Sequence, residues 1–179
     1  MTPDRRKYVL FGLLAILSIA IDQWTKVLVR HHLKQLGHAG HQVIKGTFVL
    51  RYSENPGVAF GMLQQLTGGR VILTVVALVA LGLVISYLHR TDGRLLRLPI
   101  ALGMIGGGAI GNLIDRIALG AVTDFLVFDF GFWPFNPWPA FNIADAALVV
   151  GVALMATEML WPPTVPTGTG PQSEASPAA

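Results

Sequence analysis

Four stretches of the chain carry no charge and consist mainly of aliphatic side chains: residues 8–21, 71–88, 98–114 and 146–157. A helix that crosses a bilayer needs about 20 mostly apolar residues, so each stretch reads as the body of a transmembrane helix. The fourth extends through 143–145 on one side and 158–161 on the other. The first meets Asp22, but Asp22 and Lys26 lie four apart and share one helix face. If they pair toward the bundle interior, that helix reaches Val29. Arg5, Arg6 and Lys7 before a short apolar run, with Ser18 and Ala20 near its end, also fit a cleavable signal peptide. Three further spans and the continuation past Asp22 favour a retained helix.

The third span holds Gly103, Gly107 and Gly111 at strict four-residue spacing, with Gly106 and Gly108 beside them. Such a stripe lets a second helix approach closely. Helix packing alone is the plainer reading, and the functional one is that the close approach also opens room for a segment of substrate. Between the first two spans, residues 47–52 are rich in β-branched and aromatic side chains, Asn55-Pro56-Gly57 is a turn signal, and 58–60 reads as a return strand. Between the last two spans, Phe132, Trp133, Phe135, Trp138 and Phe141 sit among prolines, a composition suited to the water–lipid interface and unsuited to helix. Residues 162–179 have no Lys or Arg and are rich in Pro, Thr, Gly and Ser, which predicts a disordered tail after a single membrane domain over 1–161.

Composition agrees with the pattern. Of 179 residues 53% are hydrophobic and 13% charged, about half the ~25% charge of soluble domains. This argues against a soluble enzyme and against a disordered chain. The absence of cysteine excludes a disulfide scaffold, a thiol nucleophile, a Cys-ligated zinc site and an iron–sulfur cluster. The net charge of +3 is better explained by basic residues flanking spans than by nucleic acid, which is not expected as a partner.

Lys and Arg also set the orientation. Arg5, Arg6 and Lys7 precede span one, and Arg90, Arg94 and Arg97 join spans two and three, so both chain ends read as cytoplasmic. Arg30, Lys34, Lys45 and Arg51 in the first outer segment dissent, but alternation over four spans favours this topology. The scarce polar residues then gather near the outer face. Asp22 and Lys26 close span one, Asn112, Asp115 and Arg116 close span three, and Asn142 and Asp145 open span four. Asn55, Asp124 and Asp129 lie in the outer loops.

Ionisable groups near hydrocarbon are costly and point to function, yet each has a plainer explanation. Asn142 and Asp145 fit a helix N-cap and its N3 partner. Asp22–Lys26 fits a simple ion pair. Arg116 suits a helix C-terminus, whereas Asp115 opposes the macrodipole there and needs a partner such as Lys26, Arg116 or a backbone donor. Asp129 fits a solvated loop. Asp124, inside Val122-Thr123-Asp124-Phe125-Leu126-Val127-Phe128, is poorly explained by structure alone. His31, His32, His38 and His41 match no metal spacing, so no metal or cofactor is expected. The serines lack a catalytic motif. What remains is a pair of carboxylates, one protonated and one ionised, able to activate water against a carbonyl. Proton-relay acids of a small proton-coupled transporter are the alternative, although these acids gather at span ends rather than at the midplane.

The chain resembles the lipoprotein signal peptidase (signal peptidase II) family over roughly residues 5–161. The resemblance rests on Asp22-Gln23-Trp24-Thr25-Lys26, Asn55-Pro56-Gly57-Val58-Ala59-Phe60, Gly111-Asn112-Leu113-Ile114-Asp115-Arg116, Val122-Thr123-Asp124-Phe125 and Phe141-Asn142-Ile143-Ala144-Asp145, in this order on four spans. Val58, where the family often has Ala, is a departure in size only. The resemblance implies an all-α membrane protein, a four-transmembrane-helix bundle with a small extracytoplasmic β element, in the bacterial inner membrane. It implies an aspartic endopeptidase that cuts prolipoproteins before a diacylglyceryl-modified Cys. The implied catalytic residues are Asp124 and Asp145, with Asp22, Lys26, Asn55, Gly108, Asn112, Asp115, Arg116 and Asn142 binding substrate or supporting the site. Implied partners are the lipidated substrate, membrane lipids and a peptide antibiotic of the globomycin type. From the residues alone, Asp124 with Asp145 does not rank above Asp115 with Asp145.

Overall fold

Each apolar run is the centre of a helix longer than itself. The computed structural model describes residues 1–37, 39–57, 69–132 and 137–161. The helices are α1 (Pro3–His32), α2 (Gly69–Arg90), α3 (Arg97–Ala118) and α4 (Ile143–Leu160). All four are long and apolar enough to cross a membrane. Helix α1 begins at an N-cap, Thr2 with Pro3 following, an arrangement that supplies an acceptor to a free N–H and presets φ. It runs without a break past Asp22, because Asp22 and Lys26 pair inward at 2.8 Å with both side chains fully buried.

Helix α3 is the hub. Of its apolar window 72% is buried, against 11%, 11% and 22% for α1, α2 and α4, whose remaining faces are apolar and exposed. Its glycines explain why. A Cβ on Gly103 would stand 2.6 Å from the Phe11 carbonyl oxygen, and one on Gly107 would stand 2.7 Å from that of Ala15. One on Gly111 would meet Asp22 Oδ2 at 2.6 Å. The stripe is therefore filled by α1. Helix packing, the plainer reading of the stripe, is what holds along this face of α3. Gly108 faces the other way, against the Ala144 carbonyl and Leu148, and lets α4 start close to α3.

At one end of the bundle α1 and α2 are tied together. The Lys7 ammonium donates to the Thr91 carbonyl at 2.8 Å and the His89 carbonyl at 3.3 Å, satisfying acceptors left free at the end of α2. The basic clusters around Arg5 and Arg90 thus share one face of the molecule.

At the opposite end lies a three-stranded antiparallel sheet, ordered β1 (His41–Ile44), β2 (Phe48–Asn55), β3 (Val122–Phe128). Strand β2 was expected. An additional strand, β1, precedes it, and the chain reverses between the two at Gly46, with φ of 77°. On its other edge β2 pairs with β3, Ser53 opposite Asp124 and Asn55 opposite Val122. Asn55-Pro56-Gly57 is a turn as expected, with the Gly57 N–H donating to Asn55 Oδ1 at 3.0 Å and Gly57 at φ 112°. The return strand predicted at 58–60 lies outside the described residues, as do His38, Trp133, Phe135 and the tail 162–179. An isolated bridge joins Leu126 to Phe141 and brings the entrance of α4 against β3.

Candidate active site

That bridge fixes the geometry of the site. Phe141 donates to and accepts from Leu126, at 3.1 and 2.8 Å. Asp124 lies two residues before one partner and Asn142 one residue after the other. Asn142 is the N-cap of α4, and its Oδ1 accepts from the Asp145 N–H at 3.0 Å. The Asp145 carboxylate returns the favour by accepting from the Asn142 N–H at 3.1 Å, which completes a capping box. The plainer explanation of Asp145 is therefore present, and it serves the site. With its oxygen occupied, Asn142 can offer only its NH2, which donates to Asp124 Oδ1 at 2.7 Å and to Asn112 Oδ1 at 3.1 Å.

Two more asparagines act in the same way. Asn55 turns its oxygen to Gly57 and donates to Asp124 Oδ2 at 2.9 Å. Asn112 accepts the Lys26 ammonium at 3.0 Å and donates to Asp145 Oδ1 at 2.8 Å. Both carboxylates are thus aimed by amide donors. Asp124 is 2% exposed, whereas Asp145 is half-buried. Burial, the largest effect, lifts Asp124 to about 6, with Asp145 adding to the rise while Asn55 and Asn142 oppose it.

Beneath these two lies a balanced charge cluster. Lys26 touches Asp22 at 2.8 Å and Asp115 at 3.1 Å. Asp115 thereby gains the partner it needed, together with the Thr123 N–H at 2.9 Å and Arg30 at 3.6 Å. Asp22 Oδ1 accepts from the Ala144 N–H at 3.0 Å, pinning the start of α4. Arg116 stays on the rim. Its Nη1 reaches the Asn112 carbonyl at 3.4 Å, and its Nε is buried without a partner among the described residues. Asp129 does not join the group, since its carboxylate accepts from the Gly131 N–H at 2.8 Å in the segment between β3 and α4.

All ten residues singled out from the sequence contribute to this region: Gly108 through packing, the other nine through polar side chains. Three further contributors were missed: Gln23, Arg30 and Thr123. Gln23 donates to Asp22, to Asp115 and to the Gly111 carbonyl at 3.1, 3.3 and 3.0 Å. Arg30 donates to the Thr123 hydroxyl at 2.9 Å. Arg30 was readable, because residues 22, 26 and 30 repeat every four and share a helix face.

Chemically, two carboxylates with different surroundings, held by one asparagine at the end of the bundle near the sheet, suit acid–base work on water and a carbonyl. Comparison with known proteins points the same way. Residues 14–161 match the family model described as signal peptidase (SPase) II. The lipoprotein signal peptidase of Symbiobacterium thermophilum is 42% identical over 79% of this chain and 88% of its own. That of Geobacter metallireducens is 40% identical over 86% and 91%. Two solved bacterial membrane enzymes superpose with TM-scores of 0.71 and 0.72 at 28% and 27% identity. They cover 83% and 84% of this chain and 85% and 92% of their own.

Proposed function

The chain belongs to the signal peptidase II family, and from that premise we propose that it cleaves prolipoprotein signal peptides with Asp124 and Asp145 as its catalytic dyad. Asp145 takes a proton from water, and the resulting hydroxide attacks the scissile carbonyl carbon. Asp124 gives its proton to the carbonyl oxygen. Collapse of the tetrahedral intermediate breaks the C–N bond as one of its hydroxyls returns a proton to Asp124, and the leaving amine takes the proton held by Asp145. The observation that carries this reading is the shared Asn142, which donates to Asp124 while capping the helix that begins with Asp145.

The division of labour follows from surroundings. Asp145, at the start of α4, accepts from the Asn142 N–H and the Asn112 amide, which orients it to take a proton. Burial raises Asp124 to about 6, which favours it as the acid that carries the proton. Asn112, Asn142 and Arg116 line the place where the substrate backbone would lie, and the orphaned Arg116 Nε suits a substrate carbonyl. The scissile bond lies just before a diacylglyceryl-modified Cys, and the lipidated segment enters sideways from the bilayer. A peptide antibiotic of the globomycin type would occupy the same place.

The protein is a multi-pass protein of the bacterial inner membrane, one domain over 1–161, with both ends of the chain cytoplasmic. The meeting of the Arg5 and Arg90 regions through Lys7 supports that orientation. The site then faces outward. The test is cleavage of a lipidated prolipoprotein peptide by purified protein with Asp124→Asn and Asp145→Asn variants. Each variant is expected to lose about 10²-fold or more in turnover, and a variant near wild-type rate would remove that residue from the dyad.

A further inference from the structure

We propose that Arg30 and Thr123 form a latch that sets the position of Asp124, making Arg30 a positioning residue for the reaction. The inference rests on the dyad reading above. Arg30 lies in the last turn of α1, and Thr123 is the residue before Asp124 on β3. The guanidinium donates to the Thr123 hydroxyl at 2.9 Å, while the Thr123 N–H donates to Asp115 Oδ2 at 2.9 Å. Thr123 is therefore gripped at its side chain from α1 and at its backbone from α3, and it is only 2% exposed. Arg30 also stands 3.6 Å from Asp115 Oδ1, so one guanidinium, one hydroxyl and one carboxylate close a ring across α1, α3 and β3.

The asparagines that touch Asp124 aim its carboxylate, but they sit on β2 and at the start of α4. They do not tie β3 to α1. The latch does, one residue from the reacting group, and a charge-assisted donor is stronger than a neutral one. Successive strand residues point to opposite faces, so Thr123 is held on the side away from Asp124 and the latch leaves the reacting face clear. A cation at the end of α1 would satisfy the helix dipole without any contact to a strand. That simpler role needs no hydroxyl at 123, which separates the two explanations.

The experiment uses the full-length protein in lipid nanodiscs, the lipidated peptide, and the variants Arg30→Gln, Thr123→Val, Thr123→Ser and Arg30→Gln/Thr123→Val. Because a displacement of 1 Å can cost about 10²-fold, a loosened latch is expected to lower kcat about tenfold in Arg30→Gln and in Thr123→Val, with KM nearly unchanged. Thr123→Ser keeps the hydroxyl and should retain wild-type kcat within about twofold, and the double variant should be no worse than about twofold below the poorer single. Losses that multiply, a Thr123→Val at wild-type rate, or a Thr123→Ser as poor as Thr123→Val would each overturn the proposal. Should Arg30→Gln fail to fold, the Val and Ser variants decide between them. Asp124→Asn runs alongside: if it keeps turnover, the dyad reading falls, whatever the latch variants do.

Discussion

Asn142 donates its side-chain amide to Asp124 at 2.7 Å while its backbone N–H donates to Asp145 at 3.1 Å. One residue thus serves as a helix cap and as the link between two carboxylates that are 21 positions apart in the chain. Stability and chemistry are joined at this point, and a substitution there has two readouts.

Asn142→Ala removes both roles. Loss of the cap is expected to cost about 1 kcal/mol, visible as a lower unfolding midpoint in detergent. Turnover should fall further than that loss explains, by about 10²-fold, because Asp124 loses its 2.7 Å donor and the Asp145 N–H its side-chain cap, although Asn55 and Asn112 still donate to the two carboxylates. Asn142→Ser, which can still cap but cannot reach both acids, should recover the midpoint and not the rate.

The pH dependence follows from Asp124. Its folded value of about 6 lies above the ordinary carboxyl range, so the fold favours the protonated acid. The associated stability is fully present below about pH 4 and is lost as pH rises through about 6. As the proton donor, Asp124 should give kcat/KM an alkaline limb near that pH. Asn55 holds the group down by donating to it, so Asn55→Ala should move the limb to higher pH. A limb that stays in place would separate Asp124 from the pH profile.

The charge cluster predicts a compensation. Lys26→Met leaves Asp22 and Asp115 buried without their shared cation and should destabilise the protein by about 3–5 kcal/mol. Asp22→Asn/Lys26→Met removes one charge of each sign and leaves Asp115 with Arg30, Gln23 and the Thr123 N–H. The double variant should therefore unfold at a higher temperature than Lys26→Met alone. Thermal unfolding in detergent checks the order.

Glycine substitutions separate packing from exposure. Gly108→Ala drives a methyl against the Ala144 carbonyl and should cost about 1–3 kcal/mol through overpacking, with activity falling as the start of α4 is displaced. Gly12 has nothing within 4 Å of its absent Cβ, and Gly12→Ala should be neutral or slightly stabilising. Unfolding midpoints and turnover of the two variants give the comparison.

The helices were legible because burial in lipid or among other helices demands continuous apolar side chains, and runs such as 71–88 satisfy that locally. Their ends were less so, since Asp22 and Lys26 break the apolar run while continuing the helix. Strand β3 hid for a different reason. Val122, Thr123, Asp124 and Phe125 are all buried, so the strand lacks the polar–apolar alternation that reveals a half-exposed one. Its partner β2 lies across two helices in the sequence, and no local pattern encodes such a pairing. The motifs around Asp124 and Asp145 were visible as residues, whereas their meeting depends on the Leu126–Phe141 bridge. Gln23 stands inside a motif already noticed, yet it has no charge to draw attention.

The Leu126–Phe141 bridge also works as a fastening. It closes the chain between these two residues into an excursion that leaves the site and returns to the same place. Aromatic residues such as Phe130, Phe132 and Trp138 all belong to that excursion and are exposed. Because the bridge fastens both feet of the segment beside the site, a change in the exposed aromatics between them has no direct route to the spacing of the carboxylates.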